Sequence, residues 1–265
     1  MLLPTICSFW HGELDWLGRM CIASYIEKGH RFALYSYSRV SDVPPGCDVI
    51  DANEVIPQSE MFFYKGNRTP AVFADLFRLK LMAREAGVWA DCDCYCIRPY
   101  EGFGDYVFGI ESRANGVNNA VFRCPPDSPL LKALLTVFEP GAVPPGLPWT
   151  RALEIRLRRL LGVELPVENM QFGATGPWPL TFHLHRLGLY ELAQSKSVFY
   201  PLDYGQSQNL LRPGSDLAQW TAPESRSAHF WYSSLTGRGR SMLKTPEPGS
   251  FFDREIKRLG PALGA

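Results

Sequence analysis

The chain has 265 residues, enough for one large domain or two small ones. Its 46% of hydrophobic and 20% of charged residues are ordinary values for a globular protein. Because 27 basic residues balance 27 acidic ones, the chain has no overall positive field to hold a nucleic acid. The sequence has no apolar run long enough to span a bilayer and no charged signal-peptide region at its start. We therefore expect a cytoplasmic protein whose seven cysteines are free thiols.

Strand and helix patterns alternate in the N-terminal part of the chain and become irregular in the C-terminal part. The predicted strands cover residues 5–10, 31–37, 49–50, 88–90, 106–110, 120–123, 198–200 and 228–232. The predicted helices cover residues 15–28, 127–138, 149–161, 179–187 and 251–259. A further helix is predicted from residue 71, and Gly87 fits the left-handed position at its end. The first strand, helix and strand fall within about 35 residues, which predicts a βαβ unit with parallel strands. The whole pattern indicates an α/β fold, interrupted by a proline- and glycine-rich loop or lid hinge at residues 139–148.

Two acidic residues, Asp91 and Asp93, come directly after the buried strand predicted at residues 88–90. On an extended chain, residues at i and i+2 point to the same side, so the two carboxylates would lie side by side. Such a pair is unfavourable unless a cation or hydrogen-bond donors meet it. Carboxylate oxygens suit Mg²⁺ or Mn²⁺, which commonly complete their shells with substrate phosphates. The alternative is a turn at the end of the strand with two solvated acids.

A second polar pair, Asp75 and Arg78, shares one face of the helix predicted before that strand. The surrounding positions are almost wholly apolar. One interpretation is a structural ion pair. The other is an acceptor for sugar hydroxyls at Asp75 and a guanidinium that binds phosphate or sugar at Arg78.

These motifs together resemble the glycosyltransferase sugar-binding region that contains the DXD motif. Its pattern is S-D-x-x-R, a helix, then G-G-x-Y-x-D-x-D, as in alpha-1,4-galactosyltransferases, alpha-1,6-mannosyltransferases and, more distantly, clostridial glucosylating toxins. Asp75 precedes Asp91 by the required 16 residues. Further matching segments are Phe9-Trp10-His11-Gly12, Leu34-Tyr35-Ser36-Tyr37, Asn118-Asn119-Ala120-Val121, Thr175-Gly176-Pro177 and Ala228-His229-Phe230-Trp231. The departures are Ala74 for Ser, Ala86 for Gly and Trp89 for Tyr.

The resemblance implies a GT-A-like nucleotide-diphospho-sugar transferase fold, with a mixed, mostly parallel central sheet flanked by helices. It implies a single domain over residues 1–265, with a nucleotide-sugar-binding half at 5–125 and an acceptor-side and C-terminal lid half at 126–265. It also implies Mn²⁺ or Mg²⁺ as cofactor. Asp93 would bind the metal, Asp91 the metal or the ribose and sugar, and His229 the metal or diphosphate. For His229, a buried core histidine is the alternative.

The same resemblance implies contacts with a nucleotide-sugar, with a UDP-sugar favoured over a GDP-sugar. Trp10 would lie near the base and ribose, and Asp75 and Arg78 would hold the sugar and diphosphate. Trp231 would cover the leaving group. Asn118 would contact hydroxyls of the sugar donor or the acceptor, with a structural role in a turn as the alternative.

Three cysteines, Cys92, Cys94 and Cys96, alternate along the chain beside the aspartates. Their spacing allows a zinc or redox site. Strand alternation, however, would place the thiols on the face opposite the aspartates, and free cysteines commonly pack as small core residues. We therefore interpret them as packing residues.

Two basic segments have more than one interpretation. The arginines of the helix at 149–161 suit a peripheral contact with an anionic membrane, at the inner face if the protein is cytoplasmic, whereas its leucines are typical of a core-facing helix. Arg238, Arg240 and Lys244 lie in a glycine-rich segment that is either a phosphate-gripping lid or a solvated loop.

The resemblance thus implies a metal-dependent, retaining glycosyltransferase that moves a hexose from a UDP- or GDP-sugar to a glycan or glycolipid acceptor. A non-catalytic module that binds a sugar-nucleotide or glycan is the main alternative. A metal-dependent phosphohydrolase would need more acidic and histidine ligands than the five histidines conveniently supply.

Overall fold

The computed structural model describes residues 2–65, 68–111, 116–236 and 242–260. The described strands are β1 Ile6–Phe9, β2 Phe32–Ser36, β3 Cys47–Asp51, β4 Val88–Ala90, β5 Cys94–Cys96, β6 Val107–Ile110, β7 Val117–Arg123 and β8 Ser227–His229. The described α-helices are α1 Trp16–Glu27, α2 Ala71–Met82, α3 Pro129–Leu135, α4 Trp149–Leu160, α5 Pro177–Arg186, α6 Lys196–Phe199, α7 Tyr232–Leu235 and α8 Phe251–Leu259.

Among the described residues, six strands form a central sheet in the order β3-β2-β1-β4-β7-β6. The first four are parallel to one another, with Ile6 of β1 in register with Phe32 of β2 and Val88 of β4. Strand β7 is antiparallel to both β4 and β6. The prediction of an α/β fold with a mixed, mostly parallel central sheet is confirmed.

Strand alternation gives this sheet two buried faces. Cys7 of β1 and Trp89 of β4 pack into a core with side chains of α2, α3 and α5. Ile6 and Val88, their neighbours along the chain, pack into a second core that includes side chains of α1. Helices therefore cover both faces, as expected for a largely parallel sheet whose strands are apolar on both sides.

A separate two-stranded ribbon joins the front and back of the chain. Strand β5 pairs antiparallel with β8, and Cys94 lies opposite His229. The ribbon brings the segment around residue 229 next to the end of β4. The division of the single domain into halves at 5–125 and 126–265 stays a prediction.

Two strand predictions in the back part were wrong at their boundaries or in type. Residues 198–200 belong mostly to helix α6, in which Phe199 is fully buried. There the hydroxyl of Tyr200 accepts a hydrogen bond from the Val121 backbone at 3.0 Å, so tertiary packing overrides the β-forming composition. The strand predicted at 228–232 ends at His229, because Trp231 adopts a left-handed conformation with φ of 57°.

Of the two interpretations of the α4 leucines, the core-facing one is wrong, because these side chains are exposed. Leu153, Leu157 and Leu160 face solvent, whereas Ile155 is the helix residue that the structure buries. Among the described helices, none is both long and apolar enough to cross a membrane. Of the basic segment considered as a lid, Arg238 and Arg240 lie outside the described residues, and Lys244 contacts the Gln208 side chain at 3.3 Å.

Gly87 was expected to end α2 in a left-handed conformation, and this was wrong. The helix ends at Met82, and the left-handed residue after it is Glu85, with φ of 54°. Gly87 has φ of 136°, and a Cβ built there would lie 2.1 Å from the carbonyl oxygen of Thr5. A glycine is needed because the two backbones approach closely where β4 joins β1.

We expect Gly87→Ala to lower the free energy of unfolding by about 2–4 kcal/mol, since the added carbon meets a backbone oxygen that cannot rotate away. Denaturant unfolding measures this. Gly104→Ala is the matched control, because no atom lies within 4 Å of its Cβ position, and we expect a change within about 0.5 kcal/mol. Equal midpoints for the two variants would contradict the close approach.

Candidate functional site

The predicted site residues gather at one edge of the central sheet. Trp10 follows β1 and Asp91 follows β4, so both lie at carboxyl ends of parallel strands. Asn118 and Asn119 are near the start of β7, which reaches the same edge because β7 runs antiparallel to β4. In open α/β sheets this edge is where ligands bind.

The two aspartates lie in a tight turn rather than on extended chain. The backbone N–H of Cys94 donates to the Asp91 carbonyl at 2.9 Å, which closes the turn between β4 and β5. The expectation of two carboxylates side by side on a strand was therefore wrong in geometry. The turn gives Asp91 and Asp93 different neighbours.

The Asp91 carboxylate is bound by side chains of β4 and α2. Its Oδ1 accepts hydrogen bonds from Trp89 Nε1 at 2.6 Å and from the Arg78 guanidinium at 3.1 Å. Burial raises the pKa of the Asp91 carboxyl, and the charge of Arg78 opposes that rise. Both hydrogen bonds that its carboxylate accepts within the described residues fall on Oδ1, so Oδ2 accepts none from this part of the chain.

Arg78 is buried beneath the site, with 4% of its surface exposed. Its guanidinium contacts Asp91 at 3.1 Å and Asp75 at 3.4 Å, donates to the Asn119 carbonyl and lies 4.7 Å from the centre of the Trp89 ring. The structure thus places the predicted diphosphate-binding guanidinium among protein groups. Its contacts orient the carboxylate of Asp91.

Asp75 is also engaged by protein groups. Its Oδ2 accepts from the Thr175 hydroxyl at 2.6 Å, and its Oδ1 accepts from the Asn119 amide at 2.8 Å. Gly176 permits this contact, since a Cβ there would lie 2.8 Å from the Asn119 amide nitrogen. The sequence analysis named Thr175 only within the segment Thr175-Gly176-Pro177 that matches the family pattern, and its hydrogen bond to Asp75 was not predicted.

Asp93 pairs with His229 across the β5–β8 ribbon. Asp93 Oδ1 lies 3.2 Å from His229 Nε2, and Asp93 Oδ2 accepts from the Tyr232 backbone N–H at 2.7 Å. Burial by itself raises the pKa of Asp93, but the His229 charge and these donors outweigh it, so the pKa falls below its usual value. Burial likewise lowers the pKa of His229, but Asp93 outweighs that effect and raises it. The pair is stabilised as carboxylate and imidazolium.

Two polar ring atoms beside this pair have no hydrogen-bond partner among the described residues. They are His229 Nδ1 and Trp231 Nε1, both buried. The two rings lie 4.1 Å apart, and Trp231 is held with φ of 57°. Buried polar atoms without partners and a left-handed non-glycine residue together are typical of ligand sites.

Trp10 and Asn118 lie at the margins of this cluster. The Trp10 indole donates to the Glu13 carbonyl at 3.0 Å, and its ring meets the edge of Tyr232 at 6.4 Å. The Asn118 amide donates to Glu111 at 2.7 Å and accepts from the Ala120 N–H at 2.7 Å. Each end of the Asn118 amide is therefore engaged by one protein group, and these two contacts leave one N–H and one oxygen lone pair for a ligand hydroxyl.

Cys94 contradicts the expectation that the thiols lie opposite the aspartates. Its sulfur, an Asp93 oxygen and a His229 nitrogen all lie within 4.8 Å of one another. The other two thiols point elsewhere, Cys92 to the Ser8 hydroxyl and Cys96 to the Arg98 carbonyl. The Asp91–Cys94 turn breaks the alternation from which the expectation was made.

The residues around Asp93 fit a divalent cation. A carboxylate and an imidazole suit Mn²⁺, whereas Mg²⁺ prefers oxygen ligands alone. A Cys94 thiolate would favour a softer ion such as Zn²⁺. Burial raises the pKa of the Cys94 thiol well above its usual value, which keeps the thiol protonated and a weak ligand.

No protein-family model matches this chain, and neither does any of the curated proteins. By its fold and its site, the chain is an α/β protein with a buried carboxylate–imidazole pair beyond the carboxyl ends of its parallel strands. Among solved structures, the chain is similar to "PaToxG Glycosyltransferase", with a TM-score of 0.43 and 15% sequence identity over 71% of this chain and 76% of that chain. So low a score and identity identify neither a family nor a reaction, so the function has to be inferred from the residues of the site.

We expect Thr175→Val to lower the free energy of unfolding by about 1–3 kcal/mol, because it leaves an oxygen of the half-buried Asp75 carboxylate without its hydroxyl donor while keeping the side-chain shape. Thr175→Ser keeps the hydroxyl and is the matched control, with a smaller loss. Denaturant unfolding at neutral pH compares them. If the valine variant were as stable as the serine variant, the hydrogen bond between α5 and α2 would not stabilise the fold.

Proposed function

We propose that this protein is a metal-dependent, retaining glycosyltransferase that moves a hexose from a UDP- or GDP-sugar to a glycan or glycolipid acceptor. The observation that carries the proposal is the buried Asp93–His229 pair beside the unpartnered ring nitrogens of His229 and Trp231. The second carboxylate, Asp91, stands next to this pair with one oxygen anchored to the protein.

In this proposal Asp93 and His229 hold the cation, and the free oxygen of Asp91 binds either the cation or the sugar donor. Mn²⁺ or Mg²⁺ supplies a Lewis acid that neutralises the charge building on the departing diphosphate. Mn²⁺ is the better match because one ligand is an imidazole nitrogen. Binding would replace the direct contact between Asp93 and His229, and the unpartnered His229 Nδ1 could then keep a proton and donate it to a ligand oxygen.

Asp75 and Arg78 act in this proposal as positioning residues. Their polar atoms contact Thr175, Asn119 and Asp91, so they fix the carboxylate of Asp91 in one orientation. A preorganised carboxylate is more effective than a mobile one, because the site need not reorganise as charge develops.

The aromatic residues define where the nucleotide-sugar would lie. Trp231 stands over His229 with a buried indole N–H that can donate to the leaving group. Trp10, in contact with Tyr232, would flank the base and ribose. Asn118 would meet hydroxyl groups of the sugar donor or the acceptor at the margin of the site.

Retention of the anomeric configuration is part of the proposal because the sequence resembles the sugar-binding region of a glycosyltransferase family that retains it. The configuration of the new bond can be read from the anomeric proton coupling of the first-formed product by NMR. A product of inverted configuration would overturn this part of the proposal.

The central experiment measures release of nucleoside diphosphate from a panel of UDP- and GDP-sugars with Mn²⁺, Mg²⁺ or chelator. We expect turnover that requires the cation and falls at least about 100-fold in Asp93→Asn, which loses the ligand charge. Asp105→Asn is the matched control, since Asp105 is an exposed acid outside the site. Its turnover should equal that of the wild type.

The other outcomes separate the alternatives. Sugar-nucleotide binding by calorimetry without turnover or transfer would support a non-catalytic binding module. Undiminished turnover in Asp93→Asn would show that the assigned residues are not the site. A panel with neither binding nor turnover would overturn the proposal as a whole.

Metal binding can be measured without catalysis. We expect Mn²⁺ at about a hundredfold excess over Kd to raise the Tm of the wild type by about 5 °C or more, because only the folded chain presents both ligands. Mg²⁺ should raise it less. His229→Ala should abolish the shift, and the same shift in His229→Ala would place the cation elsewhere.

A further inference from the structure

The outer surface of helix α4 carries an apolar stripe that faces away from the protein. Trp149, Leu153, Leu157 and Leu160 are 76%, 44%, 51% and 81% exposed. Successive residues of an α-helix are about 100° apart, so these four fall within about a quarter of the circumference. Ile155, which is 5% exposed, lies on the far side and attaches the helix to the protein.

This orientation is the reverse of an ordinary surface helix. Such a helix turns its apolar stripe to the core and its charges to water. Here the leucines and the tryptophan meet solvent, and the exposed stripe continues past the helix end with Leu161 at 80%. A contiguous exposed apolar surface of this kind marks an interaction site.

The charges around the stripe are predominantly positive. The helix has four arginines at 151, 156, 158 and 159 and one acidic residue, Glu154. Glu154 pairs with Arg151 at 2.7 Å and with Arg158 at 3.0 Å, so the helix keeps a net charge of +3 (four arginines minus one glutamate). Arg156 makes no hydrogen bond or ion pair within the part of the chain that the structure describes, and helical spacing places it along one edge of the stripe, next to Leu153 and Leu160.

We propose that α4 binds the surface of an anionic phospholipid bilayer, with its leucines and Trp149 among the acyl chains and its arginines at the phosphates. An amphipathic helix with tryptophan and leucine on one face and arginine around it lies in the plane of a membrane interface. Arg156 borders one edge of the stripe, and Glu154 with its partners Arg151 and Arg158 lies beyond the other edge. The helix of 12 residues is about 18 Å long, too short to span a bilayer but suited to lie on one.

Charge argues for lipid over a second copy of this chain. Pairing two α4 stripes would bring together two helices that each carry a charge of +3, without acidic groups on the stripe to compensate. An anionic membrane instead attracts each basic residue near its surface. This binding surface does not depend on the proposed sugar transfer.

The test is co-sedimentation of the full chain with phosphatidylcholine vesicles that contain about 30% phosphatidylserine. We expect binding that falls with added salt, is lost in pure phosphatidylcholine, and weakens at least about tenfold in the double variant Leu157→Glu, Leu160→Glu. Arg156→Gln should weaken it about fivefold. Because these side chains are exposed, the variants should fold, which thermal unfolding verifies.

Met242→Glu is the matched control, since Met242 is 77% exposed and lies outside α4, and it should bind as the wild type does. Brominated lipid should quench tryptophan fluorescence in the wild type and less in Trp149→Phe. Absence of vesicle binding, or equal binding by the double variant, would overturn the proposal. So would concentration-dependent dimerisation that the double variant abolishes, because the stripe would then be a contact between copies.

Discussion

The fold around the site depends on one buried cation, the guanidinium of Arg78. It is in contact with carboxylates on two different elements, Asp75 of α2 and Asp91 after β4, and it donates to the backbone of β7 at Asn119. Two carboxylates this close to each other in a largely apolar surrounding would be unfavourable without it. Through Asp75 the same network reaches Thr175 at the start of α5. Ion pairs and hydrogen bonds of Arg78 and Asp75 therefore connect α2, the end of β4, β7 and the start of α5 at this edge of the sheet.

This network also gives the two acids of the turn different chemistry. Asp91 has a raised pKa because burial exceeds the compensation from Arg78, whereas Asp93 has a lowered pKa because His229 and a backbone N–H outweigh its burial. Neighbouring titratable groups with opposite shifts are characteristic of sites that divide their roles. Asp91 is fixed by the sheet, and Asp93 is fixed by the β5–β8 ribbon.

The local pattern of apolar residues was enough to predict the strands of the central sheet and most helices. Strands such as β1 and β4, which are buried on both faces, consist of short continuous apolar runs. The pattern also located Asp75, Arg78, Asp91 and Asp93, because charged residues in apolar segments are conspicuous. Contacts between distant residues were not predictable: the turn that moves Cys94 beside His229, and the hydrogen bond of Thr175, depend on tertiary packing. The sequence left the orientation of the α4 leucines open, because periodicity reveals an apolar face and not the direction in which it points.

The β5–β8 ribbon has a consequence for how the protein is made. Asp93 leaves the ribosome well over a hundred residues before its partners His229 and Tyr232. During that interval the α2–β4 network around Arg78 can form, but the second carboxylate of the turn has neither its imidazole nor its backbone donor. A nascent chain would thus complete its central sheet first and acquire an intact site only when the segment around residues 229–232 folds back onto it.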